Sequence, residues 1–243
     1  MGRKGPTRHM KREKTPPFWP IHRKEHVWAV RPSPGPHPIE ASIPLLVILR
    51  DMLGYAKTRK EAKRLIKEGK ILVDGRPRRD ERFPVGLMDV VEIPDTGEAY
   101  RMLPAKGRRL TLHPIDGEER GFKLCRIIGK TTLKGGRTQL NLHDGRNIHL
   151  PDGGEQYKVN DVLKLAIPHQ EILDHVRFEP GVIALVVGGR SAGAVGKLKE
   201  IGLEPGKWRT AAIETKTGEV RTLLKYVFAI GREEPLISLP EAD

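Results

Sequence analysis

The segment TRKEAKRLIKEGK, residues 58–70, carries Arg59, Lys60, Lys63, Arg64 and Lys67 at the spacing i, i+1, i+4, i+5 and i+8. On a helix that spacing gathers five cations onto one arc, the arrangement that neutralises phosphates and releases their counterions. Ala62, Leu65 and Ile66 fall on the opposite arc, so the helix has one face to bury and one to present. Glu61 and Glu68 are expected at the far edge, away from the bases. Replacing Arg59, Lys63 and Lys67 by Ala should therefore weaken RNA binding and leave folding nearly intact. Arg76, Arg78 and Arg79 extend the basic patch from the adjoining turn.

Other patterns suggest chemistry without completing it. HRKEH, residues 22–26, has the H-x-x-E-H order in which two histidines one turn apart bind zinc and the glutamate activates water. Pro20 and Pro32 leave room for roughly three helical turns at most, and Arg23 and Lys24 would repel a dication, so phosphate or backbone contact is the better reading. GKTT, residues 129–132, is similar to the end of a phosphate loop. Leu124 stands where that loop needs its first glycine, which leaves a hairpin turn. Cys125 lies in the apolar run FKLCRII and reads as a buried thiol. The pairs Asp80-Glu81, Glu118-Glu119 and Glu233-Glu234 sit in turns or tails, where carboxylates are solvated. No catalytic constellation, metal site, cofactor or small-molecule substrate is expected.

The whole chain supports a polyanionic partner. Among 243 residues, 44 Lys and Arg oppose 31 Asp and Glu, a net charge of +13. An apolar content of 37%, with aromatic residues at only 5%, favours several small domains over one large core. Ile43 to Leu53, the most apolar stretch, is broken by Pro44, Arg50 and Asp51, so no bilayer-spanning segment and no membrane partner are expected. The opening MGRKGPTRHMKREK lacks an apolar signal core, and the lone cysteine fits a reducing compartment, so a cytoplasmic location is expected.

The elements that must position these residues follow from pattern changes. Residues 1–41 form a basic, proline-rich N-terminal extension, expected to be flexible alone and ordered on a surface, with Lys11, Arg12, Arg23 and Lys24 meeting RNA. Its Trp19 and Trp28 suit burial or stacking. Residues 42–94 make a compact α/β unit: SIPLLVILRDMLG as a helix capped by Ser42 and closed by Gly54, then the basic helix, then a strand, an Asp74-Gly75 turn and DVVEI. Residues 95–173 alternate and break at glycines, giving a β-rich domain with an Asp144-Gly145 hairpin turn. Residues 174–243 give a small barrel whose Gly188-Gly189-Arg190 corner projects Arg190, with Lys197 beyond it, and an acidic tail. The fold class is α+β and multidomain.

Arg59, Ala62, Lys63, Leu65, Ile66 and Gly69, then ILVDG, then Gly86, Asp89, Val91 and Ile93 together resemble the S-four RNA-binding module. The usual close Gly-Asp step is spread here as GLMD. GVIALVVGGRSAGAVGKL resembles a KOW segment through Val187, Gly188, Gly189, Arg190, Gly193 and Gly196, with Ser191 where asparagine is common. With the basic N-terminus in front, the order resembles the S-four-e family of archaeal and eukaryotic small-subunit ribosomal proteins, and the short acidic end its archaeal form. That resemblance implies a non-enzymatic, cytoplasmic ribosomal protein whose partners are small-subunit ribosomal RNA and neighbouring ribosomal proteins. A KOW-containing transcription elongation factor and an RNA-modification enzyme are the alternatives. The first would not carry the basic arm and helix, and the second requires a catalytic domain.

Overall fold

Alternating inward and outward residues make antiparallel strands the main element of the chain, and only a few short helices interrupt them. The computed structural model describes residues 9–22, 24–105, 108–150, 154–202, 209–216 and 218–240.

The arm is anchored by its aromatic residues. Strand β1 (Met10–Lys11) pairs with β2 (Trp28–Ala29), and between them Trp19 is only 2% exposed, its Nε1 donating to the Ser42 carbonyl at 2.8 Å. Met10 and Trp19 join the apolar core built by Leu45, Leu46, Ile48 and Ile66, so the described part of this extension docks instead of trailing. Trp19 takes the burial that its residue type suggests, whereas Trp28 stays 60% exposed.

The next elements are β3 (Ser42–Pro44), α1 (Leu45–Val47, continued by wider turns over Ile48–Met52), α2 (Arg59–Glu68), β4 (Leu72–Val73), β5 (Arg76–Pro77), β6 (Pro84–Gly86) and β7 (Val90–Ile93). Ser42 does not cap α1. It belongs to β3, which pairs with β6, and its hydroxyl donates to the Pro38 carbonyl at 2.8 Å, so the helix starts only at Leu45. The Asp74-Gly75 turn forms as expected, both residues at positive φ, and joins β4 to β5.

Strands β8 (Glu98–Ala105) and β9 (Arg108–Pro114) complete the sheet β5-β4-β7-β8-β9. The boundary expected after residue 94 therefore falls inside one sheet. Its cause is a tight turn, with Gly97 at φ +72° donating to the Ile93 carbonyl at 3.0 Å, where the sequence reads as a linker.

A second sheet, in the order β12-β11-β10-β13-β14, contains β10 (Phe122–Thr132), β11 (Thr138–Leu142), β12 (Asn147–Leu150), β13 (Val162–Ala166) and β14 (Ile172–Val176). Gly129 to Thr132 are the end of β10 and not a turn. The chain reverses over Leu133–Arg137, where Gly135 and Gly136 take positive φ. The third sheet comprises β15 (Ile183–Val186), β16 (Val195–Gly202), β17 (Thr210–Thr215), β18 (Gly218–Leu223) and β19 (Val227–Gly231), in the order β18-β17-β16-β15-β19. Leu124, Val162 and Val176 of the second sheet share one core with Leu185, Ile213 and Phe228 of the third.

Candidate nucleic-acid interface

α2 is fixed at both ends before it presents anything. Thr58 Oγ1 accepts the Glu61 N–H at 3.3 Å, while Glu61 Oε2 accepts the N–H groups of Thr58 and Lys57 at 3.2 and 3.0 Å. These backbone donors, Thr58 first, pull the Glu61 carboxyl below its ordinary pKa. Gly69 closes the helix at φ +78°. Ala62 and Ile66 are buried and Leu65 is half-buried, so the expected apolar arc forms.

The cationic arc divides in two. Lys60 and Lys67 are exposed, with no ion-pair partner among the described residues. Arg64 is exposed and pairs with Glu68 at 3.0 Å. Arg59 and Lys63 turn instead to Glu81 Oε1, at 2.7 and 3.6 Å. Glu81 is buried, so its two cations hold the loop before β6 against α2. Two expectations are corrected: Glu68 does not stay clear of the bases, since one helical turn brings it to Arg64, and Glu81 is not solvated, because helical periodicity cannot register a carboxylate that reaches the arc from a loop.

Arg76 is exposed, and its Nη2 donates to the Pro168 carbonyl at 3.3 Å. Arg78 is half-buried, its guanidinium 4.3 Å from the Phe83 ring centre, and Arg79 is exposed. In the arm, Lys11 and Lys24 are exposed, Lys24 at φ +66° in a turn, so HRKEH forms no helix that would align its histidines. Arg12 is occupied internally, bonding the Ile21 carbonyl and donating to Thr15 Oγ1 at 2.7 Å, which makes it a brace of the arm. Arg23 lies outside the described residues. Arg190 and Lys197 are exposed in the third sheet and the corner before it. A Cβ on Gly188 would come within 2.7 Å of the Tyr226 ring and Gly189 takes φ +81°, so close packing requires the first glycine and backbone conformation the second, whatever Arg190 touches.

Beneath these surface cations lies a buried charge cluster that sequence reasoning missed. Lys123, only 1% exposed, reaches Asp74 at 2.9 Å and Asp144 at 3.0 Å and also bonds Asp89. Arg146 bonds Asp74 and reaches Asp144 at 3.1 Å, and His37 of the arm reaches Asp89 at 3.1 Å. The remaining carboxylate oxygens accept backbone N–H groups: Val90 on Asp74, Gly86 on Asp89 and Arg146 on Asp144. Burial works against ionisation of Asp89, but His37 and Lys123 overcome it and hold its carboxyl well below the usual range. For Asp144, burial is likewise outweighed, chiefly by Lys123, and its pKa falls to about 2. The cluster joins the arm, the first sheet and the second sheet. A Cβ on Gly86 would fall within 2.6 Å of the His37 ring, so only glycine there admits the arm.

Cys125, His143 and Asp144 bring ligand atoms within 4.8 Å of one another. They suit a metal poorly, because Asp144 is already held by two cations and burial drives the Cys125 thiol pKa up and that of His143 down to about 3. The sign that Lys123 was internal is its register: on β10 it shares a face with buried Cys125 and Ile127.

Fold and surface thus define a strand-rich protein with an S4 domain, whose model matches residues 43–91, preceded by an RS4NT (NUC023) domain match over residues 4–40. The model of ribosomal family S4e matches residues 96–172. Small ribosomal subunit protein eS4 of Methanothermobacter thermautotrophicus is 55% identical over 235 residues, 96% of each chain. Those of Ignicoccus hospitalis and Staphylothermus marinus are 53% and 51% identical, covering 98% and 99% of this chain and 96% and 99% of theirs. The crystal structure of the 30S ribosomal protein S4e from Thermoplasma acidophilum superposes with a TM-score of 0.67 at 32% identity, over 79% of this chain and 95% of that one. The chain belongs to the ribosomal S4e family.

Proposed function

We propose that this protein is a structural constituent of the small ribosomal subunit that binds ribosomal RNA and supports subunit assembly. The observation that carries the reading is its likeness along nearly the whole chain, at 55% identity, to a small ribosomal subunit protein. It is not an enzyme, as befits the family. No helix among the described residues is long and apolar enough to cross a membrane.

RNA meets the exposed cations Lys60, Arg64 and Lys67 of α2, with Arg59 and Lys63 behind them, and continues over Arg76, Arg78 and Arg79. A rigid, capped helix beside a basic turn suits the phosphates and 2′-OH groups of A-form RNA better than its base edges. Lys11, Lys24, Arg190 and Lys197 add cations from the arm and the third sheet. The units are the arm to residue 41, an S4 unit from residue 42 whose sheet runs on through β8 and β9, a β-rich unit made by the second sheet, β10 to β14, and a KOW-type SH3-like barrel beyond. The five antiparallel strands of the third sheet and the close packing of Gly188 on Tyr226 support that last assignment. Sedimentation of tagged protein through a sucrose gradient tests the function: co-migration with small subunits is expected, and co-migration with RNA polymerase or free protein alone would overturn it.

A further inference from the structure

Arg78 is a cation that folding leaves without an acceptor. It is half-buried, its Nε is inaccessible to solvent and unbonded, and none of its side-chain nitrogens has a hydrogen-bond partner among the described residues. Carboxylates are close by, yet none of them bonds it. All six oxygens of Asp74, Asp89 and Asp144 already accept from Lys123, Arg146, His37 or backbone N–H groups. A desolvated guanidinium with no acceptor is costly, and burial pushes its pKa down. The Phe83 ring supports one face of the group, which leaves its N–H edges to point elsewhere.

Arg78 lines a cleft of about 350 Å³ where three parts of the chain meet: Gly35 and Pro36 of the arm, Arg76 beside it after β4, and Gly145 and Arg146 of the second sheet. Asp74, Asp89 and Asp144 line it too, but their charges are already answered by Lys123, Arg146 and His37. The volume lies at the small end of ligand sites. Arg146, held by two buried carboxylates, and Arg76, held by the Pro168 carbonyl, are fixed in position on its walls. Three guanidinium groups around a small polar cleft, one with no acceptor, match the tetrahedral oxygens of a phosphate.

We propose that this cleft is a phosphate subsite that takes one backbone phosphate of the bound RNA, with Arg78 as its principal donor. The inference rests on the ribosomal RNA-binding reading and adds a definite place, built only when the arm, the S4 unit and the second sheet are docked together. RNA contact at this point is then coupled to the assembled state of the protein.

The test uses the full-length protein, transcribed small-subunit rRNA, and the variants Arg78→Met, which keeps an apolar chain on Phe83, and Arg78→Lys. Arg78→Met should bind rRNA roughly tenfold more weakly at moderate salt, with the slope of log affinity on log salt lower by about 0.7–0.9, and Arg78→Lys should fall between. Without RNA, Arg78→Met should melt at the parent's temperature or above it, because no hydrogen bond is lost and a half-buried guanidinium without an acceptor has been removed. Parental affinity and slope in Arg78→Met would overturn the proposal, and so would a melting temperature several degrees lower, which would make Arg78 structural. Inorganic phosphate supplies the other source of the same group: stabilisation by phosphate through Arg78 with unchanged rRNA binding would mark a free-anion site and overturn the assignment to RNA. Impaired subunit incorporation with unchanged rRNA binding would assign the cleft to a neighbouring protein's carboxylate, again overturning it. A parent protein that fails to bind rRNA would defeat the functional reading itself.

Discussion

Lys123 concentrates at one residue the physical constraints on the whole chain. Its ammonium is out of water and is tolerated because three carboxylates surround it, and they in turn are tolerated because Lys123, Arg146 and His37 answer them. Removing one member exposes the cost of the others. Lys123→Met should destabilise the protein by about 3–5 kcal/mol in urea titrations at neutral pH, although methionine fills much of the same space. Acid should act in the same direction. The carboxyls of Asp89 and Asp144 are depressed in the folded state, so their stabilisation is complete above the unfolded value near 4 and is lost as pH falls through the folded value, about 2 for Asp144. Melting temperatures should therefore fall as pH drops below about 4, and Lys123→Met should flatten that dependence. The sequence held one sign of this cluster, a lysine in the inward register of β10. The partners were hidden because Asp74 and Asp144 already had a sufficient local role, each beside a glycine in a tight turn.

At the scale of elements, α2 was legible to its caps. Thr58, Glu61 and Gly69 act within four residues of their partners, and hydrophobic periodicity needs no tertiary information. Less legible was whatever depended on a distant strand. Ser42 reads as a helix cap until β6 recruits it to a ladder, and Gly129 to Thr132 read as a turn until β11 extends the pairing to Thr132. Glu81 belongs to the same class, because it divides the basic arc of α2 from 22 residues beyond Arg59. That division makes a prediction. Lys60→Ala with Lys67→Ala should leave the melting temperature unchanged while lowering rRNA affinity, and the salt slope should fall by about 0.7–0.9 for each phosphate no longer neutralised. Arg59→Ala with Lys63→Ala should also cost about 1–2 kcal/mol of stability, because Glu81 keeps its burial and is deprived of both cations. Equal melting temperatures for the two double variants would show that Glu81 is satisfied by solvent and that the arc acts as one surface.

For the whole molecule, the consequence lies in how the arm is attached. Charge and proline content describe residues 1–41 as an extension that a partner must order, yet the described part is fastened to the remainder at several points: Trp19 in the core of the S4 unit, Ser33 donating to Asp80 and the Arg82 carbonyl, and His37 seated over Gly86 beside Asp89. Trp28 is the contrasting case, 60% exposed and set against His9 on the outer side of the β1–β2 ladder. The two tryptophans should separate under mutation. Trp19→Ala removes a buried indole and its hydrogen bond to Ser42, so it should cost about 3–5 kcal/mol and speed amide exchange through the first part of the arm, from Met10 to Ala29, while the part held by Ser33 and His37 stays protected. Trp28→Ala should leave stability and exchange unchanged, because water already covers most of that ring. Lys11 and Lys24 lie on the part of the arm that Trp19 anchors, so the Trp19→Ala protein should also bind rRNA more weakly although no phosphate-binding side chain has been touched. Hydrogen exchange measured on both variants, with and without rRNA, checks the chain of dependence. Rapid exchange around Trp19 in the unmodified free protein, at the rate of an unstructured peptide, would mean that the arm is ordered by RNA rather than by its own tryptophan.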